Sequence, residues 1–185
     1  MGQQDNRLLL KEKAAAVQIV VSEMEALAAA FQYTIDLTKR QGGSNIAAPG
    51  IDGKELDELT RLCGKAGLAV LSSNLRDHIG QIATGLTKAC WGIAETATLV
   101  MDSASEDFRI ATMLSETHVA LLPASKVVRD AMEIEEELSR MLESSPGYLS
   151  FISGASRTAD IERVLTIGVH GPRELHLLIL EEAKS

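Results

Sequence analysis

The sequence predicts an α/β domain: a mostly parallel sheet covered by helices on both faces, preceded by a helical arm at the amino terminus. Two observations carry this. Short, continuous apolar runs such as Leu68 to Leu71, Val119 to Leu122 and Leu175 to Leu180 alternate with stretches at helical spacing, the pattern of strands buried on both faces. The tract from Asn6 to Arg40 is rich in Ala, Leu, Glu and Lys and free of Pro and Gly, which favours helix.

Within that tract Leu8, Val17, Val20, Val21, Met24, Leu27 and Phe31 make a broad apolar stripe, as on a helix packed on two sides. Ser22-Glu23-Met24-Glu25 has capping-box spacing, so one broken helix or two consecutive helices are expected before Gln41-Gly42-Gly43-Ser44. This divides the chain into an arm over 1–42 and an α/β unit over 43–185. A short strand follows at Asn45 to Ala48, stopped by Pro49-Gly50; Asp52 then opens a helix carrying Leu56, Leu59 and Cys63. After the Leu68 strand, Ser73 or Asn74 is expected to cap a helix with Ile79, Ile82 and Leu86. Trp91 to Ala94 and Thr98 to Met101 are too close for a crossover and should pair antiparallel. Asp130 opens a helix with Ile134, Leu138 and Met141 inward, stopped by Pro146-Gly147. A strand at Tyr148 to Ile152, a short helix at about Thr158 to Leu165 and the Leu175 strand complete the chain.

The 185 residues are 45% hydrophobic and 24% charged, enough for one substantial core. Lys plus Arg number 18 against 26 for Asp plus Glu, a net charge of −8, with 3% aromatics; this excludes a phosphate-neutralising surface rich in stacking platforms, and nucleic acid with it. Two cysteines, Cys63 and Cys90, cannot build a four-thiolate zinc or iron–sulfur site in one chain. They form no disulfide framework, which suits a reducing compartment. Met1-Gly2-Gln3-Gln4-Asp5 has no signal-peptide character and no apolar run reaches membrane-spanning length. A soluble, cytoplasmic protein is expected.

Chemistry concentrates in three places. In Ser153-Gly154-Ala155-Ser156-Arg157-Thr158-Ala159-Asp160 a strand runs through a small-residue loop toward a helix start. That arrangement reads either as an anion site, with Arg157 as a planar cation and the loop amides as donors, or as a plain helix cap. Gly168-Val169-His170-Gly171-Pro172 holds His170 on a tight loop, as an acid–base group or as a histidine bonded to its own loop. Glu95-Thr96 links two strands, and Ser115-Glu116-Thr117-His118 sets a carboxylate and an imidazole before another. His176, inside an apolar run, reads as a satisfied core histidine. No HExxH, GxGxxG, Walker A or G-x-S-x-G pattern occurs, so no metal site, dinucleotide site or nucleophile elbow is expected.

Taken together, Trp91-Gly92-Ile93-Ala94-Glu95-Thr96, Ser115-Glu116-Thr117-His118-Val119, Ser153-Gly154 with Ser156 and Thr158-Ala159-Asp160-Ile161-Glu162, and Gly168-Val169-His170-Gly171-Pro172 with Leu175-His176 resemble the lactate-utilisation (LUD) domain family in order and content. Ala97 and Ala155 depart from that pattern, standing where glycine and proline are common. The resemblance implies a Rossmann-like open sheet, similar to ribose-5-phosphate isomerase A, glucosamine-6-phosphate deaminase and CoA transferases. It implies a role in oxidising L-lactate to pyruvate beside iron–sulfur partner subunits, in a chain that carries no cofactor of its own. His170 would then take a proton and Glu116 or Glu95 would set its tautomer. Glu95, Thr96, Ser153, Gly154, Ser156, Arg157, Thr158 and Asp160 would form the binding site for the substrate, a small carboxylate. A stand-alone enzyme or binding module for a phosphorylated or CoA-linked molecule is the alternative, and the oligomeric state, a homo-oligomer included, stays open. These groups are expected to converge on one pocket at the carboxyl ends of the strands.

Overall fold

The computed structural model describes residues 2–143, 147–158, 166–168 and 170–181. Helix α1 (Gln3–Ala16) leads into strand β1 (Ile19–Met24), helix α2 (Leu27–Arg40), β2 (Asn45–Ala47), α3 (Gly53–Ala66) and β3 (Ala69–Leu71). After a 3-10 turn at Leu75–His78 come β4 (Thr84–Lys88), β5 (Trp91–Ile93), β6 (Thr98–Asp102), α4 (Glu106–Met113) and β7 (Thr117–Pro123). Then follow β8 (Val127–Val128), α5 (Glu135–Glu143), β9 (Leu149–Ile152), β10 (Arg157–Thr158), β11 (Thr166–Ile167) and β12 (Glu174–Leu180).

Six strands form one sheet in the order β1-β12-β7-β4-β2-β3, every neighbouring pair parallel. Ile46, Leu86, Val119, Leu121 and Leu178 face α2 and α3, where Phe31, Ile35, Leu59 and Cys63 close the layer. The opposite face, through Ala120, Leu122, Leu175, Leu177 and Ile179, meets Leu10 and Ala14 of α1 and Leu99, Met101 and Val127 of a second sheet. This second sheet runs β8-β5-β6-β9. Its β5–β6 pair is antiparallel as expected, but it forms its own layer instead of extending the parallel sheet.

Three local expectations are corrected. The tract over 6–40, expected as a broken helix or two consecutive helices, also holds a strand: residues 19–24 are an edge strand of the main sheet, so the segment expected as an arm contributes a strand and two packed helices. Gln18, at a φ of 60°, breaks the helix, and the β-branched run Ile19-Val20-Val21 pairs with β12, overriding the helical spacing around Ser22. Leu86, expected on a helix with Ile79 and Ile82, lies in β4. Thr158 belongs to β10, which pairs antiparallel with β11, instead of opening a helix; the rest of that expected helix, residues 159–165, lies outside the described residues.

Candidate functional site at the amino-terminal edge of the sheet

Because all six strands of the main sheet point the same way, residues just before each strand collect at one edge. Glu116 precedes β7, and Arg173 precedes β12; Glu174, the first residue of β12, lies opposite Thr117, which in turn lies opposite Thr84 of β4. The loop before β12 is tied down by backbone bonds. Arg173 N–H donates to Glu116 O (2.9 Å), Gly168 N–H to Ser156 O (2.9 Å) and Ser156 N–H to Pro172 O (2.9 Å). A side chain at Gly171 would put a Cβ 3.0 Å from that of Ser156, so glycine allows the two loops to touch.

His170 and Glu116 line one cavity of about 330 Å³, with Ser115, Gly168, Gly171 and Arg173. Glu116 and Arg173 also line an adjoining cavity of about 540 Å³ with Gln41, Gly43, Thr117 and Glu174. The Arg173 Nε lies 3.3 Å from Glu116 Oε2, both side chains largely exposed, so this pair holds little energy and is open to exchange for a ligand carboxylate. Both cavities lie at the amino ends of the strands, which corrects the expectation of a pocket at the carboxyl ends. The physical reason is that Glu116 and His170 come before their strands in the chain, not after them.

The remaining expected residues divide. Ser156 is held against the 168–172 loop, and since Gly168 and Pro172 are each two residues from His170, about 7 Å of chain at most separates His170 from that contact. Arg157 donates from Nη2 to Ser153 O at 3.1 Å, stiffening its own loop. Gly154, at φ 96°, passes so close to Val17 that a Cβ would lie 2.5 Å from its carbonyl oxygen, a place where only glycine fits. Ser153 Oγ, Thr98 Oγ1 and Thr96 Oγ1 form a hydroxyl chain at 2.6 and 2.7 Å at one end of the second sheet. Glu95 donates its N–H to Arg129 O (3.0 Å), and its side chain is exposed. Among the described residues no carboxylate hydrogen-bonds His170, and Glu116 turns to Arg173. Thr158 joins the site region through the β10–β11 ladder, and Asp160 lies outside the described residues.

Sequence reasoning passed over Gln41, Thr117, Arg173 and Glu174. The available signal was positional: Arg173-Glu174 sits between the His170 loop and an apolar strand, where it must reach the same edge as Glu116. Of the other three histidines, His118 and His176 are internal. His118 is fully buried, Nε2 2.8 Å from Thr87 Oγ1, and burial lowers its pKa to about 4. His176 is satisfied on both nitrogens, by Tyr33 and Glu174, as expected of a core histidine.

The cysteines do not fit an iron–sulfur cluster. Cys63 is buried on α3, with burial pushing its thiol up to about 11, and burial also raises Cys90; a cluster needs four thiolates. Among the described residues no group of three or more His, Cys, Asp or Glu could hold a metal ion, and no helix is long and apolar enough to cross a membrane.

The LUD domain model matches residues 7–180, nearly the whole chain. The chain belongs to the LUD domain family. This LUD chain is 33% identical over 105 residues to Lactate utilization protein C of Halalkalibacterium halodurans, covering 55% of the chain and 46% of that relative. It is 28% identical over 180 residues to Uncharacterized protein YkgG of Escherichia coli, covering 91% of the chain and 77% of the relative. Apart from that longer match, the LUD chain spans about half the length of the curated relatives it matches. Its fold is that of a DUF162 family crystal structure from Deinococcus radiodurans, with a TM-score of 0.64, 13% identity and coverage of 97% and 99% of the two chains.

Proposed function

We propose that this LUD chain is a lactate-utilisation component that binds a small carboxylate, such as a 2-hydroxy acid, in the amino-edge cavity. The observation that carries the reading is that His170, Glu116 and Arg173 share the walls of one cavity. The relatives named Lactate utilization protein C supply the substrate class. Arg173 takes the role expected of Arg157, whose guanidinium is turned into its own loop: its planar fork exchanges the Glu116 carboxylate for that of the ligand. His170, exposed at the same cavity, exchanges the proton of the ligand hydroxyl, and Ser156 fixes the loop that carries it. In the oxidation of lactate the two electrons would pass to iron–sulfur partner subunits, since the chain's own thiols do not fit a cluster.

Calorimetric titration with lactate, pyruvate, inorganic phosphate and a CoA thioester tests the proposal. Lactate or pyruvate should bind saturably, and Arg173→Ala should weaken that binding roughly 10- to 150-fold, the ~1.5–3 kcal/mol of a hydrogen bond to a charged group. The melting temperature should hardly move, because the ion pair it breaks is exposed. Preference for phosphate or the thioester would favour the alternative substrate class, and carboxylate binding unaffected by Arg173→Ala would overturn the assignment of the site.

A further inference from the structure

His176 has the geometry of a working acid–base group, although it is nearly buried. It is 5% exposed beneath α2, with Nδ1 2.8 Å from the Tyr33 hydroxyl and Nε2 2.9 Å from Glu174 Oε2. A carboxylate only accepts, so Nε2 carries the hydrogen and donates to Glu174. Nδ1 is then the acceptor and the Tyr33 O–H donates to it. Gln41 Nε2 donates to the same Glu174 oxygen (3.0 Å), and Thr117 Oγ1 donates to Gln41 Oε1 (2.9 Å). With the imidazole neutral, every direction in the chain is therefore determined. Both donors meet on Oε2, and Oε1 has no described hydrogen bond. Glu174 is half-exposed and lines the larger amino-edge cavity with Arg173 and Glu116. At the other end, Tyr33 opens to a surface groove beside Asp36, Lys39 and Arg40.

We propose that Tyr33, His176 and Glu174 form a proton relay running beneath α2 from that groove to the amino-edge cavity, where Glu174 exchanges a proton with a bound carboxylate or hydroxy acid. The nature of the ligand rests on the reading of the amino edge given above; the relay itself does not. Toward the cavity, the Tyr33 O–H breaks as His176 Nδ1–H forms, and Nε2–H breaks as a Glu174 carboxylic acid forms. That acid passes its proton to the ligand oxygen, and the Tyr33 phenolate recovers one from water. Toward solvent the order reverses. No electron pair leaves the protein. A hydroxyl, an imidazole and a carboxylate in hydrogen-bonded series give a proton an unbroken path of donors and acceptors. It makes Glu174 a second proton-handling group beside His170, across Arg173.

The free protein provides the decisive measurement. Nitrogen-15 NMR should show His176 as the Nε2–H tautomer near neutral pH, and its ring N–H should exchange with water rapidly for so buried a group. His118, equally buried but bonded to Thr87 Oγ1, should exchange slowly and serves as an internal control. Tyr33→Phe keeps the packing and removes the terminal hydroxyl, and should slow His176 exchange at least tenfold. Glu174→Gln removes the proton acceptor at the cavity end and should slow His176 exchange as well, while Arg173 retains the ligand. An Nδ1–H tautomer, or exchange unchanged in Tyr33→Phe, would overturn the relay. Failure of lactate and pyruvate to bind, with the exchange behaviour intact, would overturn the ligand reading and leave the relay supported.

Discussion

His118 shows how far burial alone changes a side chain. Its one described partner is a neutral hydroxyl, so the charged form loses its water without gaining a carboxylate, and its pKa falls from 6.5 to about 4. Because the folded state binds the proton less readily than the unfolded chain, the contribution to stability is complete above pH ~6.5 and is lost as pH falls toward 4. The loss is on the order of 3 kcal/mol. Urea melts at pH 7, 6 and 5 should show it, and His118→Gln should flatten the profile; an unchanged slope would contradict the assignment. Ala97 carries a different cost. It adopts a φ of 50° and is fully buried, so the turn takes a geometry that glycine adopts freely and the strain stays in the backbone, about 1–2 kcal/mol. Ala97→Gly should be close to neutral, since relieved strain is offset by chain entropy and a lost buried methyl. Ala97→Val should lose about 1–3 kcal/mol through overpacking alone, more with a β-branched residue at positive φ. A valine variant as stable as the parent in chemical denaturation would remove the strained-turn account.

Among the elements, those bounded by strong punctuation were legible: Asp52 to Gly67 around α3, Pro49-Gly50 after β2 and the apolar cores of β7 and β12 all match. β1 and β4 were not. Each carries a spacing that a helix would also satisfy, and only lateral pairing, with β12 for one and with β2 and β7 for the other, decides the matter. Gly85 shows the tertiary reason. A Cβ there would lie 2.1 Å from Ala111 O, so β4 is bare at that point because α4 packs directly on its backbone, with Ser115 Oγ also closing on Ala111 O (2.8 Å). Gly85→Ala should push α4 off the sheet and cost at least about 1–3 kcal/mol. Thermal melts read it, and hydrogen exchange should show the loosening at residues 106–113 first. Wild-type stability would mean that α4 has another seat.

At the scale of the molecule, two sheets share one core. Leu99 of the second sheet packs in the same buried cluster as Leu122, Leu177 and Ile179 of the first. Leu99→Ala should therefore cost about 2–5 kcal/mol and lower the transition of the whole chain. Trp91, the single tryptophan, lies in the second sheet, while the helices, α2 and α3 on the main sheet among them, dominate the far-ultraviolet signal. The two probes should melt together in both proteins; a tryptophan transition that separates from the backbone one would show that the layers fold independently.

By itself the sequence determined the fold class and family membership, and it singled out the loops that carry His170 and Glu116. These depend on local chemistry: apolar runs, Gly and Pro punctuation, and a loop such as Gly168–Pro172 whose residues are recognisable wherever they sit. It could not determine which end of the sheet those side chains occupy together, because that depends on strand direction summed over pairs far apart in the chain. Nor could it distinguish Arg173 from Arg157. Both precede a polar loop or strand, and only packing turns one guanidinium into its own loop and the other into the cavity. His176 makes the same point most directly. An apolar neighbourhood correctly marked it as a satisfied core histidine, but its partners, Tyr33 on α2 and Glu174 on the strand edge, lie 143 and 2 residues away, and the distant one is supplied by tertiary contact.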